Sequence, residues 1–308
     1  MYSSPLRTTL LLAPLLLWLL SSPLPAAPLV IKIATLAPEG SMWMNTLEEM
    51  KREIEAQSQG KLSLRFYAGG IAGDEQDVLR KIRIGQLHGG IFSGVGLGTV
   101  LPEVRVLELP LLFHDYAEVD YVTGKLWKRF GQAFLRKGFV LLGSAEAGFV
   151  YLFSSTPVRS QADLQQIKIW TWEGDPLPRA MFAAYGIVPV PLALPDVLTS
   201  LQTGLINAFY APPLAAISFQ WFTRVRYMLS LRFTDAIGAM LLSRRQWQKI
   251  PAELQATLSE ITHRYSQRIV ALTRKANAEA IEILRQNGIT ILDLPPAEIK
   301  KLEVVSAQ

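Results

Sequence analysis

The side chains that most often do covalent or metal chemistry are scarce in this sequence. It has no cysteine, and its three histidines, His88, His114 and His263, stand far apart. That excludes disulfides, thiolate nucleophiles and thiolate metal sites, and argues against a histidine metal site. His114 lies beside Asp115, but "FHDYAEV" reads more simply as a helix start capped by Asp115. Glu39, Glu75 and Asp77 stand at helix starts, where acids usually serve the helix dipole. The series Gly94-Val95-Gly96-Leu97-Gly98 follows a strand. It lacks the full G-x-G-x-x-G pattern and Pro102 soon follows, so it reads as a flexible connection rather than a nucleotide loop. No G-x-S-x-G elbow, P-loop or H-E-x-x-H motif occurs. What remains is aromatic. The stretch "KIWTWEGDP" sets Trp170 and Trp172 two residues apart, on one face if the segment is a strand. They are either core filling or the floor of a site whose chemistry is stacking on a flat or ring-shaped molecule.

The elements around them alternate. "LVIKIATLA" and "GKLSLRFYAGG" read as strands, with a helix capped by Ser41 between them running to about Gln57. Asp74 caps a second helix, "HGGIFSGV" is a third strand, and "VRVLELPLLF" reads as extended. After a helix near residues 116–137, "GFVLLGSAEAGFVYLFSS" supplies further strands. A second series of helices and strands starts near Thr156-Pro157 and includes "LINAFYAP". From Pro251 to Gln286, apolar side chains recur every three or four residues, which predicts one long amphipathic helix or two helices broken near Ala271. A single helix would be about 50 Å long, longer than one small domain is wide, and could brace two lobes. The expected fold is α/β: two lobes with mostly parallel sheets, a hinge and a long C-terminal bridging helix. The divisions are 28–147 plus 236–275 for lobe I, 148–235 plus 276–308 for lobe II, and about 252–286 for the helix.

Composition narrows the function. The formal charge is +5 with no block of like charges, so a nucleic-acid partner is not expected. Arg7, the short apolar run "TTLLLAPLLLWLL" and then "SSPLPAA" read as a signal peptide over residues 1–26, cleaved near Ala26 or Ala27. An uncleaved anchor is the competing reading. Two lobes, export and no reactive constellation point to a hinge-closing ligand trap, not an enzyme. No cofactor and no metal are expected.

At this level the sequence resembles the solute-binding proteins of TRAP transporters (the DctP type). The matching stretches are "IKIATLAPEGSMW", "GKLSLRFYAGGIAGDEQDVLRKIRIGQLHGGIF", "PEVRVLELPLLFHDYAEV", "ADLQQIKI", "YGIVPVPLALPDVLTSLQTGLINA" and "IPAELQ". Their order and spacing cover nearly all of the chain after residue 26. The resemblance implies a periplasmic receptor that delivers small organic acids to a membrane permease. It also implies two arginines and an asparagine that hold the acid. Here those positions are Trp170, Val150 and Ala211. An indole cannot neutralise a carboxylate, and guanidinium suits that task well.

The expected ligand is therefore apolar or amphipathic: a lipid, an isoprenoid or an aromatic compound. The expected ligand-binding residues are Trp170, Trp172, Val150, Phe209, Ala211, Leu194 and Trp43, with Phe209 and Ala211 on one strand face and Tyr210 on the other. The resemblance extends to a family subset with an apolar cleft that is associated with tetratricopeptide-repeat partner proteins. A cation held by the tryptophan faces, with Glu173 or Asp175 as counter-charge, is a lesser reading. Two further alternatives stand: organic-acid binding through a relocated arginine such as Arg179 or Arg65, and an assembly or scaffold protein that binds no small molecule.

Overall fold

The computed structural model describes residues 27–306, and the signal peptide read at residues 1–26 lies outside them. Strand β1 (Leu29–Thr35) is followed by helix α1 (Met42–Gln57), which Ser41 caps through its side chain. After β2 (Leu62–Tyr67), α2 (Glu75–Arg83) starts with a capping box between Asp74 and Asp77. β3 (Gly89–Ser93) then leads directly into α3 (Gly94–Val100).

Helix α3 is the glycine series that local pattern makes a flexible connection. A β-carbon at Gly94 would collide with the Glu108 carboxylate, one at Gly96 with Phe92 and Glu75, and one at Gly98 with Arg105. Each glycine costs a helix about 1 kcal/mol relative to alanine, and here glycine is what lets these side chains approach the helix. Pro102–Glu108 is a 3-10 segment rather than extended chain. The proline at its start has a φ suited to a helical turn and an N–H it does not need there.

The chain continues through α4 (Tyr116–Arg136) and β4 (Phe139–Ser144), then crosses to β5 (Gly148–Ser154), every residue of which is buried. Next come α5 (Gln161–Leu164), β6 (Trp170–Trp172), α6 (Pro176–Ala184), β7 (Val190–Leu192), α7 (Val197–Thr203), β8 (Ala208–Ala211), α8 (Pro213–Ser218) and β9 (Tyr227–Leu229). β10 (Thr234–Ala236) and β11 (Gly238–Ser243) bring the chain back, followed by α9 (Arg244–Trp247). The last elements are α10 (Ala252–Gln286), β12 (Thr290–Leu292) and α11 (Pro296–Ser306).

The first sheet has the order β2-β1-β3-β11-β4 and the second β10-β5-β9-β12, with β8 also on β5 and β6-β7 as a small separate pair. This is the two-lobed α/β architecture. The pairing is mixed rather than mostly parallel. β1 is parallel to both neighbours, but β11 is antiparallel to β3 and β4, and β5 to β8, β9 and β10. The cause is the double crossing. β4 and β5 carry the chain out of the first sheet and β10 and β11 return it, so the partners run in opposite directions.

Helix α10 is unbroken over 35 residues. Leu254, Leu258, Ile261, Tyr265 and Ile269 join the core cluster of Ile31, Leu64 and Met240, whereas Leu284 joins that of Phe153 and Phe209. The buried stripe continues without interruption through Thr273, Asn277 and Ala280, so nothing favours a break at Ala271. Asn277 fastens the helix at the crossing, donating to the Ala147 carbonyl at 2.8 Å and accepting from the Leu214 N–H at 2.9 Å.

Candidate ligand-binding cleft

Between the sheets lies a cavity of about 210 Å³. At the share of volume each water takes in the liquid, it would hold on the order of seven waters. The ends of β1 and β3 and helix α1 wall it on one side, β6, β8 and the turn at Trp221 on the other, and the crossing segments close its back.

Trp170 is almost fully buried at 2 % exposure, and its Nε1 donates to the Leu192 carbonyl at 3.0 Å. Its ring stacks on Tyr210 at 5.2 Å and meets Trp221 edge-on at 5.3 Å. Trp172 is half-buried and its Nε1 donates across the cleft to Asp74 at 2.8 Å. Trp43 reaches in from α1, its Nε1 held by the Thr273 hydroxyl at 3.0 Å. Val150, Ala211 and Leu194 complete the set, so six of the seven residues expected from sequence line one cavity.

Phe209 does not line it. Its ring is fully buried, stacked on Phe153 at 4.8 Å, with Trp221 packed edge-on over it at 5.3 Å. Trp221 takes the wall position in front of it. Tyr210, read as facing away, lines the cavity and stacks on Trp170. Sequence reasoning also missed Trp221 and Phe219, whose rings stack at 5.1 Å on the wall. Their two-residue spacing in "SFQWF" repeats that of Trp170 and Trp172 and was the available signal.

The charges around this wall are acidic. Among the described residues no lysine, arginine or histidine lines the cavity, but Glu75 and Glu146 do. Glu75 caps the start of α3, accepting from the Ser93 N–H at 2.6 Å, the Ser93 hydroxyl at 2.9 Å and the Gly96 N–H at 2.6 Å. Burial pushes its carboxyl up to about 7 despite these hydrogen bonds. Burial also raises Glu146, against the pull of Arg274, whose guanidinium binds both Glu146 and Asp120. Asp235 stands nearby on β10, fully buried with neither carboxyl oxygen hydrogen-bonded, and burial pushes it well above the usual carboxylate range. Arg179 and Arg65 are exposed and line no part of the cleft. Arg105 stands closer, but it is already paired with Asp175 at 2.9 and 3.0 Å and with Glu108 at 2.6 Å. Asp175 is thereby occupied, and Glu173 is exposed and lines no part of the cleft, so neither faces the cavity as the counter-charge of a bound cation.

Residues 33–308 match the family model described as bacterial extracellular solute-binding protein, family 7 (DctP). A solute-binding protein of Verminephrobacter eiseniae is 26 % identical over 274 residues, spanning 87 % of this chain and 80 % of that protein. The Bordetella pertussis extracytoplasmic solute receptor DctP7, which binds pyroglutamic acid, superposes with a TM-score of 0.85 at 20 % identity over 91 % of this chain and 92 % of the other. A TRAP periplasmic solute binding protein of Citrobacter koseri, with bound D-glucuronate, gives a TM-score of 0.84 at 23 % identity over 91 % and 94 %. Two α/β lobes around a cleft, a bridging helix and this match along nearly the whole chain place the protein in the DctP family, the solute-binding proteins of TRAP transport systems.

Proposed function

We propose that the chain captures an apolar or amphipathic solute, of the lipid, isoprenoid or aromatic kind, in the periplasm and delivers it to a TRAP permease. One observation carries the ligand class: the cavity wall is aromatic and aliphatic, with two carboxylates and no cation. A solute carboxylate would meet Glu75 and Glu146 instead of a guanidinium. Burying it unpaired costs on the order of several kcal/mol, whereas an apolar group gains about 25 cal/mol for each Å² removed from water. Pyroglutamate and glucuronate are the ligands of the two similar structures. This cleft departs from the acid-binding pattern at Trp170, Val150 and Ala211, all of which line it. The scaffold alternative gains no support, because Trp170 and Trp172 leave the cavity open. Export through the leader at residues 1–26 belongs to the same proposal, as does a tetratricopeptide-repeat partner, which co-purification from the native host tests.

Native mass spectrometry of protein purified without refolding tests the ligand class. A co-purified lipid-like species is the expected result. A bound carboxylate metabolite, or stabilisation by D-glucuronate, overturns it.

A further inference from the structure

The cleft continues past the main cavity into a second chamber of about 110 Å³. The two share Ser93, Val150, Trp172, Tyr210 and Ala236 as lining residues, so only a thin wall of side chains stands between them. Beyond that wall the second chamber is apolar on both sides. Val95 and Pro110 face it from the first lobe, and Leu177, Met181 and Phe182 from the second. Its charged groups are Arg105, Glu108 and Asp175, and they are ion-paired with one another, although Arg105 Nε meets Glu108 without hydrogen-bond geometry. Each guanidinium nitrogen of Arg105 already faces a carboxylate oxygen. The chamber thus offers no free cation to an acid.

Trp172 and Tyr210 are the large side chains of this partition. Trp172 is half-buried, and the one hydrogen bond of its ring runs across the cleft to Asp74. The Tyr210 hydroxyl stands 3.5 Å from the Trp172 N–H. A compact solute would need only the main cavity. The second chamber adds about half again to the space and carries the same apolar character outward between Val95 and α6.

Building on the apolar reading above, we propose that the two chambers are one elongated site. Trp172 and Tyr210 form its gate. The solute is a long-chain, non-acidic amphiphile whose chain passes from the main cavity beside Trp172 into the chamber between Val95 and Met181. An anionic head would find no free cation in either chamber, so the polar end is a hydroxyl or a similar non-acidic group.

A series of straight-chain primary alcohols, from hexanol to hexadecanol, tests this on the mature chain. Tryptophan fluorescence reports binding, because Trp43, Trp170, Trp172 and Trp221 all line the site. Affinity should rise by about fourfold for each added methylene. In Met181→Trp and Leu177→Phe, which fill only the second chamber, the rise should stop several carbons earlier. Crystals of the unaltered chain with dodecanol brominated at its terminal carbon give an answer that needs no variant. Chain density running past Trp172, with the bromine's anomalous signal at one end, is the expected result. A chain folded wholly within the main cavity, or the same limiting length in wild type and variants, overturns the elongated site while leaving the apolar reading intact. Absence of binding at every length overturns both.

Discussion

The carboxyl of Glu75 makes a quantitative prediction, because it sits in the cavity wall with no cation beside it. It is 3 % exposed. Burial raises it from 4.5 to about 7, and the hydrogen bonds from Ser93 and Gly96 hold it from rising further. Between those two pH values the folded chain keeps a proton that the unfolded chain has lost. The folded state binds more protons there, so stability falls as pH rises through that window and levels off above about 7. At about 1.4 kcal/mol per pH unit, the interval corresponds to roughly 3 kcal/mol. Glu75→Gln removes this slope. The variant loses one hydrogen-bond acceptor at every pH, which is a constant offset. Glu108, which burial also pushes up to about 7, titrates in both proteins and cancels. Urea unfolding from pH 4.5 to 8, followed by tryptophan fluorescence, should therefore show wild type losing roughly 3 kcal/mol relative to the variant as pH rises. A bound apolar solute dries the carboxyl further. Alcohol binding should then weaken above pH 7 in wild type and stay level in Glu75→Gln. Parallel stability curves for the two proteins would refute the reasoning.

Other substitutions test other parts of the cleft. Trp172→Phe keeps a ring but loses the bond to Asp74; a hydrogen bond to a charged group is worth about 1.5–3 kcal/mol, so stopped-flow dissociation of a bound alcohol should be at least tenfold faster. Trp170→Ala removes a buried indole and should cost about 3–5 kcal/mol in urea unfolding. Trp170→Arg restores the acid-gripping side chain that the family resemblance implies at one position only; with Val150 and Ala211 unchanged, calorimetry should still detect no D-glucuronate binding. Arg274→Met strips Glu146 of its partner and should cost about 3–5 kcal/mol at neutral pH. Part of that loss should return in acid, where Glu146 is protonated.

Local pattern made most elements legible. Ser41 and Asp74 have the side chains that cap helices, and both do so. The stripe from Leu254 to Leu284 needs only a period of 3.6 to be recognised. The failures share one cause, which is that distant residues decide the outcome. Gly94, Gly96 and Gly98 look like chain breakers until Glu108, Phe92 and Arg105 occupy the space their β-carbons would need. Phe209 has the right parity to face the cleft. Whether it does so depends on Trp221, twelve residues on, which covers it. The resemblance located Trp170, Val150 and Ala211 because it carries spatial information that periodicity does not. It was silent on Glu75, whose buried position against α3 follows from the packing of two helices.

The cross-lobe contacts bear on how such a receptor closes. A carboxylate solute is itself directional, because hydrogen bonds from both lobes to its oxygens fix the closed geometry. An apolar chain supplies no direction, since burial rewards area and not angle. The directional contacts must then come from the protein. They are present: Trp172 Nε1 donates to Asp74, the Gln76 amide to the Glu173 carbonyl at 3.3 Å, and Arg105 grips Asp175 with two hydrogen bonds. Each joins an element of the first lobe to the segment 172–175 at the end of β6. That segment begins with the tryptophan that gates the two chambers. The same residue therefore feels the solute and holds the lobes, which couples occupancy to closure without a charge on the solute.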